Sequence, residues 1–416
     1  MTVDKKYNLI VVGGGPAGMM AAGTAGASGK TVLLLEKNSD LGEKLKITGG
    51  GRCNITNATF NTRELLPKFG PAEKFLYSPF AQFGVADTFN FFETRNLPLV
   101  TEARNRVFPH TQKAIDVFKV MLKYITTHNV EIMTGCPVLK INAAPTKDKI
   151  TSVKTKNGTY YADNFIIATG GTSHPETGST GDGLAWLKTL GHQVRKSNPN
   201  IVPLKVNDKW VKNLSGTSLS FMKITFFINK KRAFSKTGKI LFTHFGLSGP
   251  LILNSSSTVA DLLHEGEVTA TIDCYPDTDT GSLDKKILQV FNTNKNKSFK
   301  NIVQDITLPG LGETLLNFNI IADPLMKVHS ITKDDRRKIV DTLKALPLTI
   351  EDLMGLDRAV VSDGGVPLTE IDTKTMKSKL YDNLYLTGDI LHINRPSGGY
   401  SLQLCWTTGY VAGLLN

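Results

Sequence analysis

Cysteine is scarce in this chain. There are four in 416 residues, Cys53, Cys136, Cys274 and Cys405, with no CxxC pair and no His/Cys spacing suited to a metal. That argues against a disulfide framework, a zinc site or an iron–sulfur cluster, and fits a reducing cytoplasm. No apolar run approaches the ~18 residues of a membrane span, so no membrane partner is expected. A secretory leader is not suggested either, because Asp4 stands beside Lys5 and Lys6 and glycines break the apolar stretch that follows. Acidic residues are in deficit: 37 Asp and Glu against 49 Lys and Arg leave a formal charge of +12. A basic excess favours polyanionic partners such as RNA. More than half of it falls in residues 196–349, where the tracts Lys230, Lys231, Arg232 and Arg336, Arg337, Lys338 read more simply as solvated faces.

What is present is an ordinary globular composition, 40% hydrophobic and 21% charged, in a chain long enough for about two or three domains. The most informative segment is Tyr7 to Glu36, YNLIVVGGGPAGMMAAGTAGASGKTVLLLE. It predicts a strand, a glycine turn, a helix and a second strand closed by a carboxylate. Gly13 permits the tight turn, Gly15 lets a pyrophosphate approach the backbone, and Gly18 lets helix and strand pack closely. Glu36 stands where an acid accepts hydrogen bonds from a ribose 2′-OH, which argues against a 2′-phosphate. A bare glycine triplet marks many turns, but the whole unit in register points to an adenine dinucleotide.

Downstream, Gly42 to Asn57 (GEKLKITGGGRCNITN) reads as an irregular loop at the cofactor. Helical spacing over Gln112 to Thr127 places Ile115, Phe118, Leu122 and Ile125 on one face. A strand at Glu131 to Met133 and a β-meander from Val138 to Tyr161 follow. The apolar strand Phe165 to Ala168 then turns at Thr169, Gly170 and Gly171, either as a cofactor corner or as a plain glycine turn. Alternation in Phe221 to Ile228, Lys239 to Phe242 and Glu267 to Ile272 predicts short antiparallel strands, and Ser282 to Phe291 and Lys333 to Leu346 predict helices. The expected domains are 1–195 with 350–416, a β-barrel-like insert at 196–280 and a helical insert at 281–349. Near the C-terminus, a strand at Leu384 to Leu386 runs into Gly388 and Asp389 ahead of an apolar helix. A second glycine-acid element aimed at the same cleft suits FAD and has no use in an NAD-only enzyme.

Taken together, GGGPAGMMAA, KLKITGGGRCNITN, RVFPHTQKA, ATGGTSHPETGSTGDG, THFGLSGP, SDGGV and LTGDILHINRPSGGYSLQ run nearly end to end, and with them the chain resembles the BaiN/YhiN-like bacterial FAD-dependent oxidoreductases. The resemblance implies an α/β fold, a two-dinucleotide-binding-type FAD domain with a Rossmann-like parallel sheet, interrupted by a β-barrel-like insert and a small helical domain. It implies FAD contacts at Gly13, Gly15, Gly18, Glu36, Lys37, Arg52, Asn54, Val138, Thr169, Gly170, Gly388, Asp389, Gly399 and Tyr400. The family usually shows Glu where Asp389 stands, Asp where His392 stands and Asn where Ser401 stands.

The implied chemistry is reduction of an activated carbon–carbon double bond, in a ribosomal RNA uridine or in an unsaturated steroid ketone, with NAD(P)H as a transient electron donor. No second GxGxxG unit of the opening type exists to bind that donor. Four residues are candidates for the catalytic work. Cys53 is either a proton-donating thiol at the flavin or a buried small apolar residue. Arg52 suits an anionic or carbonyl anchor. His244 and His392 are further acid candidates, each weighed against a structural role. A flavoprotein without catalysis, offering a binding surface for RNA or a partner, is the reading from another class.

Overall fold

The computed structural model describes residues 6–146, 148–355, 359 and 361–416. The chain forms two compact units, Met1–Pro199 with Leu356–Asn416, and Asn200–Gly355.

In the first unit the opening segment folds as its glycines dictate: β1 (Lys6–Val12), α1 (Pro16–Ala27) and β2 (Val32–Leu35). β1 and β2 pair in parallel from Leu9 opposite Val32 to Val12 opposite Leu35. Both strands are almost wholly buried, as expected of a parallel sheet covered on both faces. The stretch after β2, expected to be irregular, contains a short helix, α2 (Glu43–Ile47), and a two-residue strand, β3 (Thr56–Asn57). β3 joins β4 (Leu99–Glu102) and β5 (Arg106–Pro109) in a separate antiparallel sheet. Helix α3 (Ala114–Thr127) buries Phe118 and Ile125, but Ile115, expected on that face, is exposed. Then come β6 (Glu131–Met133), β7 (Val138–Ala143), β8 (Ile150–Thr155) and β9 (Thr159–Ile167).

The second unit starts with β10 (Leu204–Val206), β11 (Ser218–Ile228), β12 (Lys231–Thr243), β13 (Gly246–Ser248) and β14 (Val268–Asp273). Helices α4 (Thr280–Thr293) and α5 (Lys333–Lys344) then precede β15 (Leu346–Leu353). The six strands close into an antiparallel barrel in the order β10-β13-β12-β11-β14-β15. The closing strand therefore lies after the helices, which are an insertion within the barrel with their own apolar cluster of Leu283, Ile287, Phe291, Ile339 and Leu343. Leu346, expected to end a helix, begins that strand, and the boundaries expected at 195 and 350 fall instead at 199 and 356. The tract Lys230 to Arg232 occupies the exposed hairpin tip between β11 and β12, where Asn229 and Lys230 both adopt positive φ.

The chain returns to the first unit with β16 (Leu384–Leu386) and α6 (Tyr400–Gly413). β16 pairs in parallel with the last three residues of β9, whose own C-terminal half lies along β1. Both ends of the sequence thus feed one seven-stranded sheet, and the turns after β1, β9 and β16 lie together at the carboxyl ends of neighbouring strands. Helix α6 packs on α1 through Gly409 and Gly413, where any Cβ would strike the backbone of Ala17 or Ala21.

Candidate active site

The turns after β1, β9 and β16 enclose a cleft of about 900 Å³, counting its open mouth. Gly13, Gly15, Glu36, Thr169, Gly170, Gly388 and Asp389 line it, so seven of the expected FAD contacts come together from three distant stretches of chain. Gly13 has φ +108, and a Cβ there would sit 2.6 Å from the carbonyl oxygen of Ala168, so only glycine suits this corner. Gly18 is a packing residue, its Cα pressed against the carbonyl of Gly13. Lys37 and Val138 line a smaller adjoining pocket shared with Glu36 and Thr169.

Three features of this cleft fit FAD. A Cβ built on Gly15, at the start of α1, meets no protein atom within 4 Å, so the space over the helix N-terminus is left for a ligand. No acidic residue lies in the first turn of α1, and the free N–H groups favour a diphosphate there. Thr169 lines the cleft and has a buried hydroxyl with no partner among the described residues, an uncommon cost that a polar ligand would relieve. The Glu36 carboxylate accepts from the amides of Gly14 (2.7 Å) and Asn38 (2.8 Å), which fixes it while leaving lone pairs for a ribose.

Other expected residues have different surroundings. Arg52 ion-pairs with Glu102, donates to Gln112 (2.6 Å) and stacks on Phe108 with 4.0 Å to the ring centroid. The Asn54 side chain accepts from the amide of Val107 (3.2 Å). Gly399, at φ +100, caps α6 against the backbone of Thr56, and Tyr400 is buried edge-on to Phe69. None of these four is among the lining residues of either pocket.

Cys53 has 0% exposure and positive φ, and burial pushes its thiol up to about 12, partly offset by a hydrogen bond to Thr48. The cysteine that lines the cleft is Cys405. His244 is an exposed residue at the β12–β13 turn of the second unit, edge-on to Phe245. His392 accepts from Arg195 at Nε2 (3.1 Å), and its Nδ1 lies 3.3 Å from Asp363 Oδ1, close enough to pair but not aligned for a hydrogen bond.

Two residues that the motifs do not single out bear on the cleft, one by lining it and one by holding a residue that does. Lys44 lines the cleft and donates to the carbonyl (2.6 Å) and hydroxyl (3.1 Å) of Ser173. Arg395, almost fully buried, ion-pairs with Asp389 and donates to Ser401 Oγ (3.0 Å) and the Ile393 carbonyl (2.6 Å). The sequence signal for Arg395 lay in the departures at Asp389 and Ser401, because both of those residues bind this one guanidinium.

A parallel sheet with a glycine turn opening onto the start of α1, the Glu36 carboxylate in the same cleft and a second glycine-acid turn suit an FAD-dependent oxidoreductase. The chain belongs to the HI0933-like protein Rossmann domain family, which it matches over residues 7–415. It is 30% identical over 413 residues, 97% of each chain, to a 3-dehydro-bile acid delta(4,6)-reductase of Clostridium scindens. It is 26% identical over 408 residues, again 97% of each, to a ribosomal RNA dihydrouridine synthase of Haemophilus influenzae. Among solved structures it resembles the 3-ketosteroid-delta4-(5alpha)-dehydrogenase of Rhodococcus jostii, with TM-score 0.54 and 16% identity over 99% of this chain and 96% of that one. That last likeness is one of fold.

Proposed function

We propose that this FAD-dependent oxidoreductase reduces an activated carbon–carbon double bond, using NAD(P)H as electron source and a ribosomal RNA uridine as substrate. The observation that carries the reading is similarity along the whole chain to two relatives whose names share that chemistry, one a Δ(4,6)-reductase and the other a maker of dihydrouridine. The charge of +12 favours the RNA substrate over a neutral one.

FAD, when bound, supplies hydride chemistry. The chain's own residues do the rest. The N-terminus of α1 holds the diphosphate, Glu36 the adenosine ribose, and the Gly388–Asp389 turn the far end of the cofactor. Arg52, over the Phe108 ring and partly exposed, suits a carbonyl of the substrate ring. For the proton, His392 is better situated than Cys53: it is partly exposed, with Nε2 against Arg195 and Nδ1 3.3 Å from Asp363 Oδ1, and imidazole is the side chain most often used to pass a proton. Cys53 is sealed in the core.

A small-molecule enone reductase is the second reading, favoured by the higher identity to the bile-acid enzyme. Two measurements separate the outcomes. Anaerobic mixing with NADPH should bleach the bound flavin, and a flavin that never bleaches removes NADPH as donor. Deleting the gene should erase dihydrouridine from ribosomal RNA. If that nucleoside persists while the purified protein reduces a conjugated steroid ketone, the RNA substrate is wrong.

A further inference from the structure

We propose that Lys44 is the cation this pocket reserves for the isoalloxazine half of FAD, where it stabilises the extra negative charge of the reduced cofactor. The inference rests on FAD occupying the cleft and is independent of which double bond is reduced.

The case starts from the neighbouring lysines. Lys46, two residues on, pairs with Asp40 (2.7 Å) and Glu43 (2.6 Å), and Lys37 pairs with Asp182 (2.8 Å). Lys44 lines the cleft yet has no carboxylate partner among the described residues. Its Nζ donates only to the two oxygens of Ser173. The two acids that act on it through space are engaged elsewhere, Asp389 with buried Arg395 and Glu176 with His174. An ammonium taken from water without a counter-charge is costly, and burial accordingly pushes its pKa below the usual lysine value, opposed by Asp389 and Cys405. Such a group is retained where a ligand brings the missing negative charge.

FAD offers two candidate charges. The diphosphate already has the open N-terminus of α1, with its free N–H groups and the vacant side of Gly15. Lys44 approaches from a different element. Helix α2 is tied to the glycine turn by the bond from Gly42 N to Gly14 O (3.0 Å), and its side chain crosses to the loop after β9. Thr48 from the same segment and Ser401 and Leu402 from the start of α6 share that lining. A helix of 5 residues has no useful dipole of its own, so the charge here is the ammonium. Charge beside the flavin ring is a principal lever on its electronics.

The test uses holoenzyme of wild type, Lys44→Met and Lys44→Arg. Sulfite, which adds to oxidised flavin and leaves it negatively charged, is titrated by loss of the yellow absorbance. FAD affinity is measured by fluorescence. The expected result for Lys44→Met is sulfite binding weakened by about tenfold or more, with FAD affinity within about threefold and Lys44→Arg close to wild type. Unchanged sulfite affinity overturns the proposal. So does an FAD affinity weakened tenfold while the flavin that remains bound takes sulfite normally, which puts Lys44 at the diphosphate. Should Lys44→Met retain no FAD, its affinity for ADP decides, since ADP carries the diphosphate without the ring. Normal ADP binding supports the flavin half, and loss of ADP binding overturns it. A wild-type protein that binds no FAD would instead sink the cofactor reading itself.

Discussion

Arg395 and Cys53 show that residues in two equally suggestive motifs can have opposite fates. Arg395 is buried with each of its three nitrogens donating, to Ser401, the Ile393 carbonyl and Asp389, and it shapes the last loop before α6. Cys53 sits in GGGRCN, the sort of loop where a reactive thiol is sought, yet a thiol with 0% exposure and a pKa of about 12 behaves as a small hydrophobe. Two of the acid candidates, Cys53 and His392, can therefore be told apart. Cys53→Ala should leave turnover within about twofold and lower thermal stability by about 1 kcal/mol, the cost of a small buried cavity. His392→Asn should retain bound FAD and slow turnover by about a hundredfold, the range of a lost general acid. Steady-state kinetics with flavin absorbance as the loading control reads both, and a tenfold or larger loss in Cys53→Ala would return the proton to the thiol.

The segment between Val366 and β16 is anchored by a buried side-chain chain rather than by regular structure. His192 Nδ1 meets Glu370 Oε2 at 2.6 Å and its Nε2 meets Ser378 Oγ at 3.0 Å, while that hydroxyl accepts from the amides of Leu380 (3.0 Å) and Tyr381 (3.2 Å). Burial holds the His192 imidazole below its ordinary pKa, against the pull of Glu370. The closed segment thus keeps His192 neutral at pH values where the opened segment protonates it near 6.5. Protection conferred by this anchor is complete above that value and declines as the pH drops from there toward the lowered pKa of the closed form. Hydrogen-exchange protection factors at Leu380 and Tyr381 should fall between roughly pH 7 and 5 in wild type and stay level in His192→Asn. Equal slopes in the two proteins would show that His192 does not control this segment. Little of the anchor is legible in the sequence, because its members lie 178 and 186 residues apart and no local period links them. The cofactor cradle is legible for the opposite reason: β1, its turn, α1 and β2 are contiguous, and each glycine answers a local steric demand. The barrel lies between these cases. Alternation revealed β11, β12 and β14, but closure depends on β15, which the helical spacing of the residues before Leu346 obscured.

Charge is a property of the whole chain, and it carries the prediction that separates the substrate readings. The excess of +12 is not confined to the tract at the barrel tip, where Lys230, Lys231 and Arg232 are exposed. Arg336, in the other tract, is bound to Asp284 (2.6 Å) and is less available to a phosphate. An RNA substrate would be held by many weak phosphate contacts spread over the surface, and each neutralised phosphate releases a counterion. With about six such contacts, affinity for a large-subunit ribosomal RNA fragment should fall by roughly a thousandfold between 50 and 200 mM salt. A conjugated steroid ketone has no phosphates to exchange, and its affinity should change by less than about twofold over that range. Filter binding of the RNA and flavin-fluorescence titration of the ketone, on one preparation of holoenzyme across the same salt series, compare the two directly. A flat RNA curve beside saturable ketone binding would move the substrate from ribosomal RNA to small molecules and leave the basic surface as a determinant of solubility alone.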